Sequence, residues 1–228
     1  MLEKYEGIRE LKLEIKKFLA LIDENNDIPN KSKLTNIIKL IIFNKKIFND
    51  LENENKYYIK CMIYNLLMIL NSLKNNSILY FYYCYRSYIE NYFRVMLYLK
   101  DDDVTGVNNL INQFTEKYNQ DERMVEITTF IKGEYGKACD FVHSNRKADL
   151  PIYEYYKDIL DSNELSNKKI EKLISQLKSL LRYTTELLIM TRYEDIYSSF
   201  YRKKVDLKFL IGDKLMETYD EKLKLVII

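Results

Sequence analysis

Apolar residues recur at steps of three and four along most of the chain. The N-terminal segment shows the pattern clearly, with apolar positions at Leu11, Ile15, Phe18, Leu19 and Ile22 and charged residues between them. A helix places residues three and four apart on one face, so this spacing predicts amphipathic helices. Short polar breaks, such as the one at 74–77, separate the successive apolar stripes.

These breaks divide the chain into ten predicted helices. Their approximate ranges are 2–22, 33–50, 56–74, 78–100, 105–118, 122–145, 151–160, 167–191, 193–203 and 206–226. Thr105 is the predicted cap of the fifth helix, and Pro151 suits the first turn of the seventh. Five glycines and two prolines are too few for the regular turns of a β-sandwich or barrel, so the predicted fold class is all-α.

The expected architecture is an up-and-down antiparallel helical bundle over residues 56–190. Residues 1–55 are expected to form an N-terminal helical extension, and residues 191–228 a C-terminal one. The last four residues, Leu225-Val-Ile-Ile228, form an apolar tail that we expect to dock on the protein or on a partner.

The amino-acid composition argues against several classes of protein. The 36 basic and 34 acidic side chains give a net charge of +2, which is not the strong positive field of a nonspecific nucleic-acid binder. Three isolated cysteines and one histidine support neither a zinc site nor a disulfide framework, so no metal or cofactor is predicted. The N-terminus mixes charges from its start, and polar residues interrupt the most apolar windows, so we expect a soluble cytoplasmic protein without a membrane span.

The single histidine is the first candidate for proton chemistry, because an imidazole titrates near neutral pH. His143 follows Lys137 and Asp140 on the sixth predicted helix, a spacing that allows a Lys137–Asp140–His143 chain in which the carboxylate orients the imidazole. The alternative interpretation is a helix-ending histidine favoured by the negative end of the helix dipole.

The fourth predicted helix carries a second candidate group. Arg86, Glu90 and Arg94 are four residues apart and therefore lie along one face. They form either a solvated ion-pair ladder or a cleft in which a carboxylate holds an arginine for phosphate binding.

Ten of the 21 tyrosines lie between Tyr57 and Tyr98. Exposed tyrosines there would make a stacking platform for single-stranded nucleic acid. Several of them, however, fall among apolar positions and are predicted to be core residues: Tyr58, Tyr82, Tyr85 and Tyr92.

An aromatic helix containing Arg86-Ser87-x-x-Glu90, followed by Tyr135 and by Phe141-Val142-His143-Ser144, resembles the HEPN superfamily, nearest to the groups found in bacterial defence and toxin–antitoxin loci. The resemblance covers about residues 56–190. It implies an antiparallel helical bundle that often dimerises, placing two copies of an Arg-x(4–6)-His motif at a shared cleft for metal-independent RNA cleavage. His143 matches the motif, whereas Lys137 stands where the motif has arginine, and Arg86 on the neighbouring helix is our candidate for the missing guanidinium.

The expected function is therefore that of a metal-independent endoribonuclease in a bacterial defence or toxin–antitoxin system. The alternative is a non-catalytic HEPN-like interaction or assembly subunit that binds a protein partner. We expect a homodimer and an RNA substrate in the first case. The candidate catalytic residues are His143, Arg86 and Glu90, the candidate phosphate- or RNA-binding residues are Lys137, Arg94, Ser144 and Asn145, and the candidate orienting residue is Asp140.

Overall fold

The computed structural model describes residues 3–23, 28–50, 56–143, 151–163 and 165–224. Its helices are α1 (Glu3–Asp23), α2 (Lys31–Asp50), α3 (Lys56–Lys74), α4 (Ile78–Met96), α5 (Val107–Lys117), α6 (Glu122–Val142), α7 (Ile152–Asn163), α8 (Asn167–Ser199), α9 (Lys204–Ile211) and α10 (Asp213–Lys224). The predicted all-α helical bundle is confirmed.

Helix α4 lies at the centre of the packing and contacts α3, α5, α6 and α8. Its buried residues include three tyrosines that are fully buried, and the sequence predicted two of them, Tyr85 and Tyr92. The hydroxyl of Tyr92 donates to the Thr184 carbonyl over 2.7 Å, and the Tyr88 hydroxyl lies 2.9 Å from the Thr184 hydroxyl. These bonds satisfy the polar end of each ring, which is the condition for burying tyrosine in a core. Tyr58 is also buried, and Tyr82 is half-buried.

Helix α8 differs from its predicted extent. Two helical segments meet at Arg192, whose φ and ψ of −136° and 32° are not helical, so the predicted boundary between 191 and 193 is present as a kink within Asn167–Ser199. The Arg192 guanidinium stacks 3.8 Å from the Tyr98 ring centre and donates to the Val95 carbonyl over 3.3 Å. These contacts join the kink to the end of α4.

The last predicted helix is in fact two. Gly212 separates α9 from α10 with φ of 80° and ψ of 174°, a combination that is essentially restricted to glycine.

The buried core runs through residues from both ends of the chain. Ile15 of α1 and Tyr219 of α10 are both buried in it, α2 packs against α8 and α9, and α10 packs against α8. The domain boundaries at 55 and 190 stay a prediction. The apolar tail over 225–228 lies outside the described residues. Among the helices that the structure describes, none combines the length and apolar content needed to cross a membrane.

Candidate functional site

Arg86 and His143 meet on the surface where α4 packs against α6. The two helices run antiparallel. Near the start of α4, the ring centre of Tyr82 lies 4.5 Å from that of Phe141 at the end of α6, whereas the Tyr85 hydroxyl, further along α4, reaches back to Glu134 near the middle of α6. This packing brings Arg86 Nη1 to 2.7 Å from His143 Nε2. Two residues that are 57 positions apart in the sequence thus form one exposed pair.

The contact specifies how the imidazole is protonated in this arrangement. A guanidinium has donors and no acceptor, so Arg86 donates and His143 Nε2 must accept with its lone pair. This contact corresponds to the tautomer that carries its proton on Nδ1. His143 also ends α6, where its backbone N–H donates to the Cys139 carbonyl over 2.8 Å. The partial negative charge at this helix end favours the nearby guanidinium.

Tyr135 lies beside the pair, with its ring centre 6.0 Å from the Arg86 guanidinium carbon. Burial and the neighbouring Cys139 thiol raise the pKa of Tyr135 to about 12, against the opposing effect of Arg86. The phenol therefore keeps its proton at neutral pH and is a hydrogen-bond donor rather than a base.

A buried carboxylate holds α4, α6 and α8 together beneath this surface. Glu134 is almost fully buried, and its Oε2 accepts from the Tyr85 hydroxyl over 2.8 Å and from the Gln176 amide over 2.7 Å. The Lys137 ammonium lies 2.6 Å from the other oxygen. A buried charge that is paired and hydrogen-bonded in this way supports the geometry of the surrounding helices.

Sequence reasoning missed Glu134, although a signal was present. Glu134 follows Ile131 by three residues and precedes Ala138 by four, so it lies on the apolar stripe of α6. A carboxylate on a buried stripe requires partners, and the tyrosine-rich helix α4 offered them.

The predicted Lys137–Asp140–His143 chain is not formed between these side chains. The Lys137 ammonium pairs with Glu134, the imidazole Nε2 faces Arg86, and Asp140 is exposed. Glu134 is one turn before Lys137 and is already buried, so it offers the stronger acceptor. Ser144 and Asn145 lie outside the described residues.

The remaining predicted residues, Glu90 and Arg94, belong to a different cluster. Arg94 is buried, and its guanidinium contacts Asp103 Oδ1 at 2.6 Å, the Thr105 carbonyl at 2.7 Å and Glu90 Oε1 at 3.1 Å. The expected role of Arg94 in phosphate binding does not fit this geometry, because these acceptors surround the guanidinium. The predicted cap at Thr105 is also wrong: Gly106 is the N-cap of α5.

The Arg86–Glu90–Arg94 face therefore serves two purposes. Arg94, together with Glu90, binds the segment that connects α4 to α5, whereas Arg86 contacts α6. Neither a fully solvated ladder nor one shared cleft describes the three residues.

An open groove of about 380 Å³ follows the outer side of α3 and α4 next to this cluster. Tyr57 and Tyr64 line it and are 58% and 59% exposed. Two further tyrosines of α4, Tyr80 and Tyr83, are 39% and 60% exposed. We call these four residues the tyrosine face.

No protein-family model, curated protein or solved structure matches this chain. The resemblance to the HEPN superfamily therefore stays a prediction. All three cysteines are free thiols. No group of three or more histidine, cysteine or carboxylate side chains is arranged to hold a metal ion in the part of the chain that the structure describes.

Proposed function

We propose that this protein is a cytoplasmic, HEPN-like, metal-independent endoribonuclease of a bacterial defence or toxin–antitoxin system, with Arg86 and His143 as its catalytic pair. The observation that carries the proposal is the 2.7 Å contact between Arg86 Nη1 and His143 Nε2 on an exposed surface. Arg86 can bind a phosphate and His143 can act as a base, and the two are close enough to contact the same phosphodiester.

An imidazole acts as a base in its neutral form, in which one ring nitrogen has a free lone pair. When a substrate phosphate approaches, its charged oxygens are better acceptors than a neutral imidazole, so they draw the guanidinium away and free Nε2. His143 Nε2 then takes the proton of the ribose 2′-OH. The 2′-oxygen attacks phosphorus, the bond to the 5′-oxygen breaks, and the products carry a 2′,3′-cyclic phosphate and a 5′-hydroxyl.

Arg86 neutralises the phosphate as charge develops in the transition state. Its planar fork has donors beyond the one facing His143, and these can hold phosphate oxygens in a fixed orientation. Lys137, whose side chain is 67% exposed, would add a second cation on α6 if its ammonium turned from Glu134, with which it pairs, towards the substrate.

The leaving 5′-oxygen needs a proton, and the chain contains one histidine. In the expected homodimer the second copy of His143 would start as an imidazolium and donate its proton to this oxygen, while the first copy starts neutral and takes the proton of the 2′-OH. This requirement links the proposed reaction to the predicted dimer.

The test is RNA cleavage by the purified protein in EDTA, with total RNA and tRNA as substrates. We expect products that end in a 2′,3′-cyclic phosphate. His143→Ala should lose about 10²–10⁴-fold in rate, because a positioned general base contributes that much. Arg86→Lys should retain more activity than Arg86→Ala, since it keeps the charge and loses the fork.

The matched control is Lys132→Ala, which removes an exposed charge from the same helix as His143. It should cleave like the wild type. If the folded wild type leaves RNA intact, or if His143→Ala cleaves equally well, the catalytic proposal is wrong.

The tyrosine face favours a second candidate function, that of a non-catalytic HEPN-like interaction subunit binding a protein partner. Tyrosine is enriched in protein interfaces because its ring is apolar and its hydroxyl tolerates water. A second copy of the chain is the simplest partner.

Sedimentation velocity tests whether the tyrosine face binds a second copy. We expect Tyr64→Ser combined with Tyr83→Ser to shift a dimer to monomer, while Tyr153→Ser combined with Tyr156→Ser, on exposed positions of α7, leaves it intact. Equal dimerisation in both variants would contradict a role of the tyrosine face in self-association.

A further inference from the structure

A basic pocket lies away from Arg86 and His143, where α2, α8 and the junction of α9 with α10 meet. Its volume is about 220 Å³. Four cationic side chains from three helices line it: Lys39 of α2, Lys178 and Arg182 of α8, and Lys214 of α10. We call these four residues with their cavity the basic pocket.

The positive charges of the basic pocket are not balanced by nearby carboxylates. Asp213 is the one carboxylate among the described lining residues, and its Oδ1 pairs with the ammonium of Lys208, which is outside the lining, over 2.9 Å. Within the described parts of the chain, no carboxylate lies within ion-pair distance of Lys39, Lys178, Arg182 or Lys214.

Two lysines lie near the ring of Phe209, which lines the pocket. The Lys39 ammonium lies 3.9 Å from the centre of the Phe209 ring, and the Lys12 ammonium lies 6.0 Å from the same ring. Burial, with the charge of Lys12, lowers the pKa of Lys39. The ring attracts both cations through its quadrupole, yet their mutual repulsion remains and an anion would relieve it.

The backbone at the start of α10 also adds to the positive charge of the basic pocket. Gly212 and the first residues of α10 line the pocket, so the start of this helix adds partial positive charge beside it. This contribution supplements the side-chain cations.

We propose that the basic pocket binds the phosphoryl groups of a small anion, of the size of pyrophosphate or of the phosphate end of a nucleotide. A volume of about 220 Å³ is below the ~300–1,000 Å³ of pockets that enclose a drug-sized ligand, so it fits phosphates better than a whole nucleotide. The four cations belong to three different helices that meet at the cavity, so they could contact the anion from more than one side. The site shares no residue with the Arg86–His143 pair and does not depend on its activity.

Isothermal titration calorimetry with sodium pyrophosphate tests the basic pocket, against sodium chloride at matched ionic strength. We expect the titration to show one binding site on each chain. In thermal unfolding, pyrophosphate should raise the melting temperature, because a ligand that binds the native state stabilises it. Lys39→Gln combined with Lys178→Gln should weaken binding at least about tenfold, since each removes a charge-assisted contact.

The matched control is Lys45→Gln combined with Lys172→Gln, which takes the same charge from exposed positions of the same two helices outside the pocket. It should bind pyrophosphate like the wild type. Lys214→Gln, on an exposed position of α10, provides a second variant whose folding is not at risk.

The same titration is repeated with ATP and with a short single-stranded RNA in place of pyrophosphate. Binding of pyrophosphate alone identifies an inorganic ligand, and binding of ATP with the same sensitivity to Lys39 and Lys178 identifies the phosphate end of a nucleotide. The proposal is overturned if neither small anion binds beyond the chloride control, if RNA alone binds, or if both double variants weaken binding equally.

Discussion

At the scale of single residues, similar side chains on one helix face have opposite roles. Arg86 and Arg94 are two turns apart on α4, yet Arg86 contacts the exposed His143, and Arg94 is buried among carboxylate and carbonyl oxygens. The difference comes from what lies opposite each side chain. The loop that follows α4 folds back and brings Asp103 to Arg94, whereas α6 ends beside Arg86.

Replacing Arg94 by methionine should lower the free energy of unfolding by about 3 kcal/mol, because it leaves the Asp103 carboxylate and the Thr105 carbonyl without their buried donor. Urea unfolding followed by circular dichroism measures this loss. RNA cleavage by the folded fraction should stay at the wild-type level, since Arg94 is outside the proposed catalytic pair.

Lys100→Met is the control for Arg94→Met, since Lys100 is exposed in the same loop region. It should change stability by less than about 0.5 kcal/mol, as surface substitutions usually do. A stable Arg94→Met variant with impaired RNA binding would contradict the structural role of Arg94.

At the scale of helices, local backbone features decide where α8, α9 and α10 begin and end. Arg192 leaves helical geometry without ending α8, whereas Gly212 ends α9 and allows α10 to start at once in a new direction. The apolar spacing is similar on both sides of each position, so periodicity does not distinguish a kink from a break.

Gly212→Ala should lower the free energy of unfolding by about 1–3 kcal/mol, because a side chain makes this backbone conformation unfavourable. Steric contact is not the reason, since a Cβ atom at Gly212 would meet nothing within 4 Å. Thermal and urea unfolding measure the change.

Gly133→Ala is the matched substitution inside α6, where a Cβ also meets nothing within 4 Å. It should raise the free energy of unfolding by about 0.5–1 kcal/mol, because alanine favours a helix interior over glycine. Equal effects of the two substitutions would show that the conformation of Gly212 is not the cause.

At the scale of the whole molecule, a core built on tyrosine makes stability depend on alkaline pH. Burial raises the pKa values of Tyr85, Tyr88 and Tyr92, and it raises that of Tyr219 to about 12. Below the unfolded value of about 10, both states keep these phenols protonated and the stabilising effect is complete. Above it, the unfolded chain loses protons that the folded chain retains, so stability falls as the pH rises towards the folded values.

The free energy of unfolding should therefore fall steeply between about pH 10 and pH 12. Urea titrations at several pH values in this window measure the slope. In Tyr88→Phe combined with Tyr92→Phe the slope should decrease by up to about 2.7 kcal/mol per pH unit, since each fully buried tyrosine contributes at most about 1.36 kcal/mol per pH unit. A slope that is unchanged in this double variant would show that other groups control alkaline unfolding.

Much of the fold could be predicted because helical periodicity is a local property of the sequence. The spacing of Leu11, Ile15 and Ile22 already places them on one face, and the helix over 56–74 has the predicted bounds. The burial of Tyr85 and Tyr92 follows from the same reasoning, since their neighbours on the stripe are apolar. Scarce glycine and proline excluded the frequent turns that a β-fold needs.

The candidate site depended on information that spacing does not contain. The apolar spacing of α4 and α6 did not specify that Arg86 would meet His143, because the packing of the two helices sets which side chains face each other. The same packing supplied Glu134 as the partner of Lys137 in place of Asp140.

The sequence alone thus determined the helical class, the apolar faces and the chemical groups available, because each depends on residues within a few turns of one another. Only the tertiary structure decided which groups meet: Arg86 with His143, Arg94 with Asp103, and the four cations of the basic pocket. The physical reason is that a side chain's partners and its exposure are set by the elements packed opposite it, and these come from distant parts of the chain.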